Sequence, residues 1–172
     1  LDTSDALSSW QERARRLEIL KDSHAGAIAI ITCVVYFFLL YGVTRSIDAS
    51  ILPVYGFTFI VSRSLSGFAV VTFPKMKKEG TVADFSKKAE TKRIQVTLIV
   101  YLIIAFVVMI LIDPWYGAAG IIGALLTFAY YHHMAMKNFG GINGDLAGWF
   151  LSMCELIMPA CMVVAQLIRL KL

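Results

Sequence analysis

The sequence has no CxxC pair, no signal-peptide pattern at its start, no internal repeat and no low-complexity tract. Charge is thin: Asp, Glu, Lys and Arg make up 16% of the 172 residues, and only four prolines interrupt the chain. Its three cysteines, Cys33, Cys154 and Cys161, are odd in number and all lie in apolar runs. That excludes a disulfide framework and a cysteine-based zinc site, and leaves them as small buried hydrophobes. The first residue is Leu1, not Met, so the chain reads as processed, truncated or part of a longer one. No nucleic-acid partner is expected. The oligomeric state is left open, a homo-oligomer included.

Apolar sequence is what abounds. Hydrophobic residues are 58% of the chain, against about 45–50% in an ordinary soluble domain. They gather into five runs, at 25–43, 49–73, 94–112, 116–136 and 146–168. Each is near or above the roughly 20 residues that cross a bilayer core. Pro53 and Arg63 make the second run the least regular, and a kink or break is expected there. The fold class is therefore all-α: a polytopic transmembrane bundle of about five spanning helices in one integral-membrane domain over 1–172.

Basic residues fix an expected orientation. Of the 16 Lys and Arg, twelve fall in the longer polar segments 1–24, 74–93 and 137–145. Arg45, Arg169 and Lys171 fall on the other side, and Arg63 lies within a run. Positive loops stay in the cytoplasm, so a multi-pass protein of the cell (inner) membrane is expected, with these three segments inside and the C-terminal tail outside. In "SWQERARRLEILK", Ser9 and Glu12 have capping-box spacing, and Leu7, Trp10, Ala14 and Leu17 recur at helical intervals. This predicts one N-terminal amphipathic helix lying in the interface, with Trp10 at headgroup depth.

Several constellations are suited to chemistry. In "LDTSDAL", Asp2 and Asp5 share a helix face. Such a pair is either a solvated terminus or a site for a hard divalent cation, magnesium or manganese. In "GGINGD", Gly140, Gly141 and Gly144 let backbone N–H groups converge on an anion. Asp145 then either caps the helix that follows or holds a metal bridging a phosphate. Arg63 and Glu155 lie at membrane depth, where charge is costly. They should face the bundle interior, as a structural ion pair or as part of a pathway. Asp22 follows the amphipathic segment. The basic stretch "PKMKKEGTVADFSKKAETKR", with Lys77, either touches lipid headgroups or clamps a phosphate-rich substrate. Carboxylates for a metal, cations for phosphate and a backbone nest on one membrane face are the parts of a phosphoryl-transfer site.

The same residues carry a resemblance. "LDTSDAL" resembles the later part of the acidic signature Asp-Gly-x-x-Asp-x-x-Asp-Gly of the cobalamin synthase family, the adenosylcobinamide-GDP ribazoletransferases. "RRLEILKDSHAG" is similar to the segment that follows it. "SRSLSG" and "PKMKKEG" resemble the family's Arg-bearing membrane segment and Pro-x-x-Arg-x-Glu-Gly loop, and "GGINGDLAG…E" its Gly-Gly-x-Thr-Gly-Asp-x-x-Gly-Ala…Glu. The departures are Ala6 for Gly, Asn143 for Thr, Lys77 for Arg, and the absence of the opening Asp-Gly. Family members also have upstream membrane helices, so an N-terminal portion is expected to be missing, with a possible loss of activity.

The resemblance implies transfer of α-ribazole, or its 5′-phosphate, to adenosylcobinamide-GDP, with GMP released and magnesium as cofactor. It implies Asp2, Asp5 and Asp145 as metal ligands and Asp5 or Asp145 as the proton acceptor. Asp22, Arg63, Lys77, Gly140, Gly141, Gly144 and Glu155 are implied to bind substrate. Two rivals are a CDP-alcohol phosphotransferase, against which the tight "DTSD" speaks, and a transporter using Arg63 and Glu155 along its path.

Overall fold

The computed structural model describes residues 1–22, 24–76 and 91–171. Lys77, with most of the basic stretch around it, lies outside the described residues. The helices are α1 (Asp2–Ser8), α2 (Arg13–Ile19), α3 (Ala27–Ser46), α4 (Leu52–Thr72), α5 (Thr91–Ile112), α6 (Pro114–Asn138) and α7 (Gly144–Arg169). Among the described residues the only β pairing is an isolated parallel bridge between Lys75 and Ile142. The all-α bundle expected from the runs is what forms.

Four of the long helices, α3, α4, α5 and α7, are long and apolar enough to cross a membrane. The run at 116–136 departs from the expected five. It forms α6, whose 25 residues give about 37 Å of helix, but it is less apolar than the other four. Glycine and alanine replace large side chains where α6 packs closely against α5 and α7. A methyl group on Gly117 would stand 2.5 Å from the Met109 carbonyl oxygen, so α5 approaches α6 backbone to backbone. Tyr131 stacks on Phe150 of α7 with ring centroids 4.8 Å apart, and both side chains are fully buried.

α4 packs on α5 and α7, while α3 touches only α7 and α1 closely. The outward faces of α3 and α5 carry Ile30, Ile31, Phe38, Ile103, Val107 and Leu111, all exposed. Water would penalise such a surface, and a hydrocarbon layer would not. The kink or break expected in the second run does not occur. Pro53 lies in the first turn of α4, where its missing N–H has no helical partner to lose. Pro159 is the interior proline, in α7, and it deprives the Glu155 carbonyl of its usual donor.

The single amphipathic helix expected at the N-terminus is instead two. Trp10 adopts φ +52° and breaks the chain there. The Ser9 hydroxyl donates to the Ala6 carbonyl at 2.8 Å, and Glu12 starts α2 without a side-chain cap, so no capping box forms. Leu7 and Leu17 pack on the core, whereas Trp10 is 89% exposed. α2 is fastened by arginine: Arg16 donates to Asn138 at the C-terminal end of α6, where a helix dipole favours a cation.

The bundle has two polar ends. One gathers α1, α2, the start of α3, residues 73–76 and the turn between α6 and α7. The other gathers residues 46–51, Asp113 and Arg169. There Asp113 caps α6, accepting from the N–H groups of Trp115 at 2.9 Å and Tyr116 at 3.1 Å, and pairs with Arg169 at 2.8 Å. Burial opposes the Asp113 charge, but these donors outweigh it and hold the carboxyl below its ordinary value of 3.8.

Candidate functional site

The site is built at the first of these ends, where the glycine turn meets the acidic helix. Gly140 has φ +70° and ends α6. Its N–H donates to the Met136 carbonyl at 3.1 Å, and that of Gly141 to the Ala135 carbonyl at 3.4 Å. The N–H donors expected of Gly140 and Gly141 are thus occupied by the open end of α6, and the two do not form an anion nest. Their smallness serves contact. A Cβ on Gly140 would overlap the Arg13 guanidinium, and one on Gly141 would lie 2.8 Å from the backbone of Lys75 and Met76. Ile142 pairs with that strand-like segment, donating to the Pro74 carbonyl at 2.9 Å and accepting from Met76 N–H at 3.1 Å. The Lys75 ammonium is turned back onto the Val70 and Phe73 carbonyls at the end of α4, and burial pushes its pKa down.

Asn143, not Asp145, caps α7: its Oδ1 accepts from Leu146 N–H at 2.9 Å. Asn143 Nδ2 in turn donates to Asp145 Oδ2 at 2.7 Å. The capping alternative for Asp145 therefore falls away, and its carboxylate is exposed at a helix start that favours negative charge. Gly144, beside it, faces open space.

Asp2 and Asp145 line one cavity of about 410 Å³ between α1, α3 and α7. Thr3 and Ser4 also line it, as do Thr32, Cys33 and Tyr36 of α3 and Gly148, Trp149 and Ser152 of α7. Asp5 does not. Its Oδ2 accepts from Gly26 N–H at 3.1 Å, just before α3. A Cβ on Gly26 would come within 2.4 Å of the same carboxylate, so Gly26 lets α1 dock on α3. Asp22 lies elsewhere too, exposed and bonded to His24, whose backbone N–H and ring hold its carboxyl below the usual range. Among the described residues, no three His, Cys, Asp or Glu side chains gather into a metal-sized cluster.

Arg63 and Glu155 do meet. They form an ion pair between α4 and α7, joined by the Ser62 hydroxyl, which donates to Glu155 Oε1 at 3.1 Å. Arg63 also lies over the Phe59 ring, 5.7 Å from its centroid. Glu155 is one helical turn past Ser152, so the pair sits below the cavity rather than in its wall. Sequence reasoning missed Gly26, Arg13, Thr3, Tyr36 and Trp149. None has a motif of its own; each is defined by what it meets from another helix.

A profile of cobalamin-5-phosphate synthase matches residues 1–163. An adenosylcobinamide-GDP ribazoletransferase of Lachnoclostridium phytofermentans is 43% identical over 165 residues, covering 96% of this chain and 63% of that protein. Proteins of the same name from Clostridium botulinum, strain Alaska E43, and Listeria monocytogenes, strain EGD-e, are 28% and 29% identical, over 94% and 95% of this chain. The chain spans 66% and 65% of their lengths. No solved structure matches. With the profile running through nearly all of the sequence, the chain belongs to the cobalamin-5-phosphate synthase family.

Proposed function

We propose that this chain carries the catalytic end of an adenosylcobinamide-GDP ribazoletransferase. The observation that carries the reading is the cavity shared by Asp2 and Asp145, two carboxylates 143 positions apart in sequence. The relatives' names give the reaction class, in which a ribazole is transferred to a nucleotide-activated corrinoid. The ribazole hydroxyl oxygen forms a new P–O bond at the phosphorus next to the corrinoid. The P–O–P bond breaks, GMP leaves with the bonding electrons, and the hydroxyl proton passes to a carboxylate. Asp145 is preferred to Asp5 for that proton, because it is exposed in the cavity and held by Asn143, whereas Asp5 is engaged by Gly26.

The donors suit magnesium, which binds through one or two carboxylates together with substrate phosphates and needs no protein cage. Asp2 is the residue that would hold it. When bound, the ion would neutralise charge on the diphosphate and on departing GMP. Gly144 and Asp145, ahead of the Leu146 N–H that Asn143 caps, offer backbone N–H groups to the same phosphates. Lys77 and Asp22 remain proposed substrate contacts from the loops, and Arg63 with Glu155 a polar anchor beneath them. The cell membrane, with this end of the bundle in the cytoplasm, is the proposed location.

The test is GMP release from adenosylcobinamide-GDP and α-ribazole by the full-length protein in nanodiscs, with and without magnesium. Asp2→Asn and Asp145→Asn are each expected to lower turnover by about a hundredfold or more, with thermal midpoints unchanged. Wild-type turnover in Asp2→Asn, or full activity in EDTA, would remove Asp2 and the metal from the scheme.

A further inference from the structure

The cavity behind the carboxylates has more structure than a diphosphate needs. It runs along α7 from Asp145 to Met153, about 12 Å of helix. Its chemistry changes on the way. Asp2 and Asp145 stand at the start of α1 and α7, and Tyr36, Trp149 and Met153 line the slot further along, with the exposed Phe37 at its edge. Thr3, next to Asp2, is 1% exposed, and its hydroxyl has no hydrogen-bond partner. A buried hydroxyl left unpaired is unfavourable and is usually explained by a missing partner.

Resting on the reaction above, we infer that this slot between α3 and α7 receives the acceptor of the transfer, an alcohol carrying a flat aromatic base, and not the corrinoid. About 410 Å³ accommodates a nucleoside-sized molecule, whereas a corrinoid is several times larger. A flat ring fits between aromatic and thioether side chains, which reward stacked and edge contacts. With the base inside, the ribose hydroxyls lie towards the start of α7, beside Thr3 and the Asp145 carboxylate. The Thr3 hydroxyl gains its partner from the ligand. The bulky activated corrinoid then approaches from the membrane surface and presents only its diphosphate.

Two cysteines allow the slot to be read without turnover. Cys33 lines it, while Cys161 lines a separate apolar groove between α6 and α7. The full-length protein in nanodiscs is alkylated with N-ethylmaleimide, with and without α-ribazole, and each cysteine peptide is followed by mass spectrometry. Saturating α-ribazole is expected to slow Cys33 by about fivefold or more and to leave Cys161 unchanged; an unchanged Cys33 rate overturns the assignment. Gly148→Leu adds bulk to the slot at a position where a Cβ meets nothing within 4 Å, and its thermal midpoint, expected to match wild type, is measured alongside. This variant is expected to abolish the protection and to raise the KM for α-ribazole about tenfold, with the KM for adenosylcobinamide-GDP unchanged. Thr3→Val should weaken α-ribazole about tenfold as well. A rise confined to the corrinoid KM overturns the assignment. Wild-type protein that protects Cys33 yet releases no GMP supports the slot and refutes the reaction. Wild-type protein that turns over with Cys33 unprotected does the reverse.

Discussion

Gly140 and Gly144 stand four positions apart in the same turn and answer to different constraints. Gly140 is left-handed and presses on Arg13, while Gly144 faces open space. Gly140→Ala is expected to cost about 1–2 kcal/mol from backbone strain alone, and more if Arg13 cannot move aside. Gly144→Ala should fall within about 0.5 kcal/mol of wild type. Thermal melts of the two variants in the same detergent check the difference. The sequence makes such a turn legible because glycine pairs mark sharp changes of direction. It does not reveal that the turn's partners are Arg13 and the backbone of residues 74–76, since those contacts exist only between distant segments. Asn143 and Asp145 illustrate a closer ambiguity. Both are good residues for a helix start, and only the geometry shows Asn143 occupying the cap while its Nδ2 holds the exposed Asp145 carboxylate.

Among the helices, length and hydrophobicity were legible and interruptions were not. The five apolar runs became five long helices because burial and backbone hydrogen bonding both demand it in a hydrocarbon layer. The N-terminal break at Trp10 was hidden, because a helical spacing of apolar residues persists on paper across a left-handed residue. Arg63 and Glu155 do join α4 to α7, but of the two expected to turn inward only Glu155 does: its side chain is 21% exposed, whereas that of Arg63 is 59% exposed. A lone charge left at that depth costs on the order of 2–3 kcal/mol, so Arg63→Met alone and Glu155→Met alone should each destabilise strongly. The double variant should recover at least half of the loss, and a double-mutant cycle of thermal unfolding would reveal additivity if the pair were idle. At the far end, the Asp113 carboxyl is held below its ordinary value of 3.8 by Tyr116, Trp115 and Arg169, against the effect of burial. Its folded pKa is lower than its unfolded one, so its stabilisation is complete above the unfolded value and is lost as pH falls through the folded value. Acid titration of the melting point should show this loss below about pH 4, and Asp113→Asn should remove it.

For the molecule as a whole, the alternation of polar segments gave the two-ended arrangement correctly, since each run returns the chain to the opposite end. The resemblance read from "LDTSDAL" and "GGINGD" agrees with the family match over residues 1–163. Which acids share a cavity was not legible: Asp2 and Asp145 do, Asp5 and Asp22 do not. The sidedness proposed from the basic loops is directly measurable. In a background without native cysteines, a cysteine at Lys137 should react with an impermeant maleimide only in inside-out vesicles, and one at Asp48 only in right-side-out cells. The reverse pattern would put the carboxylates outside the cell.

The bridge between Lys75 and Ile142 ties two connections that the chain order keeps far apart. Ile142 is three residues before Asp145, and its carbonyl and N–H are both held by the segment that leads into residue 77. A pull on that segment therefore reaches the carboxylate through two hydrogen bonds and a single turn of backbone.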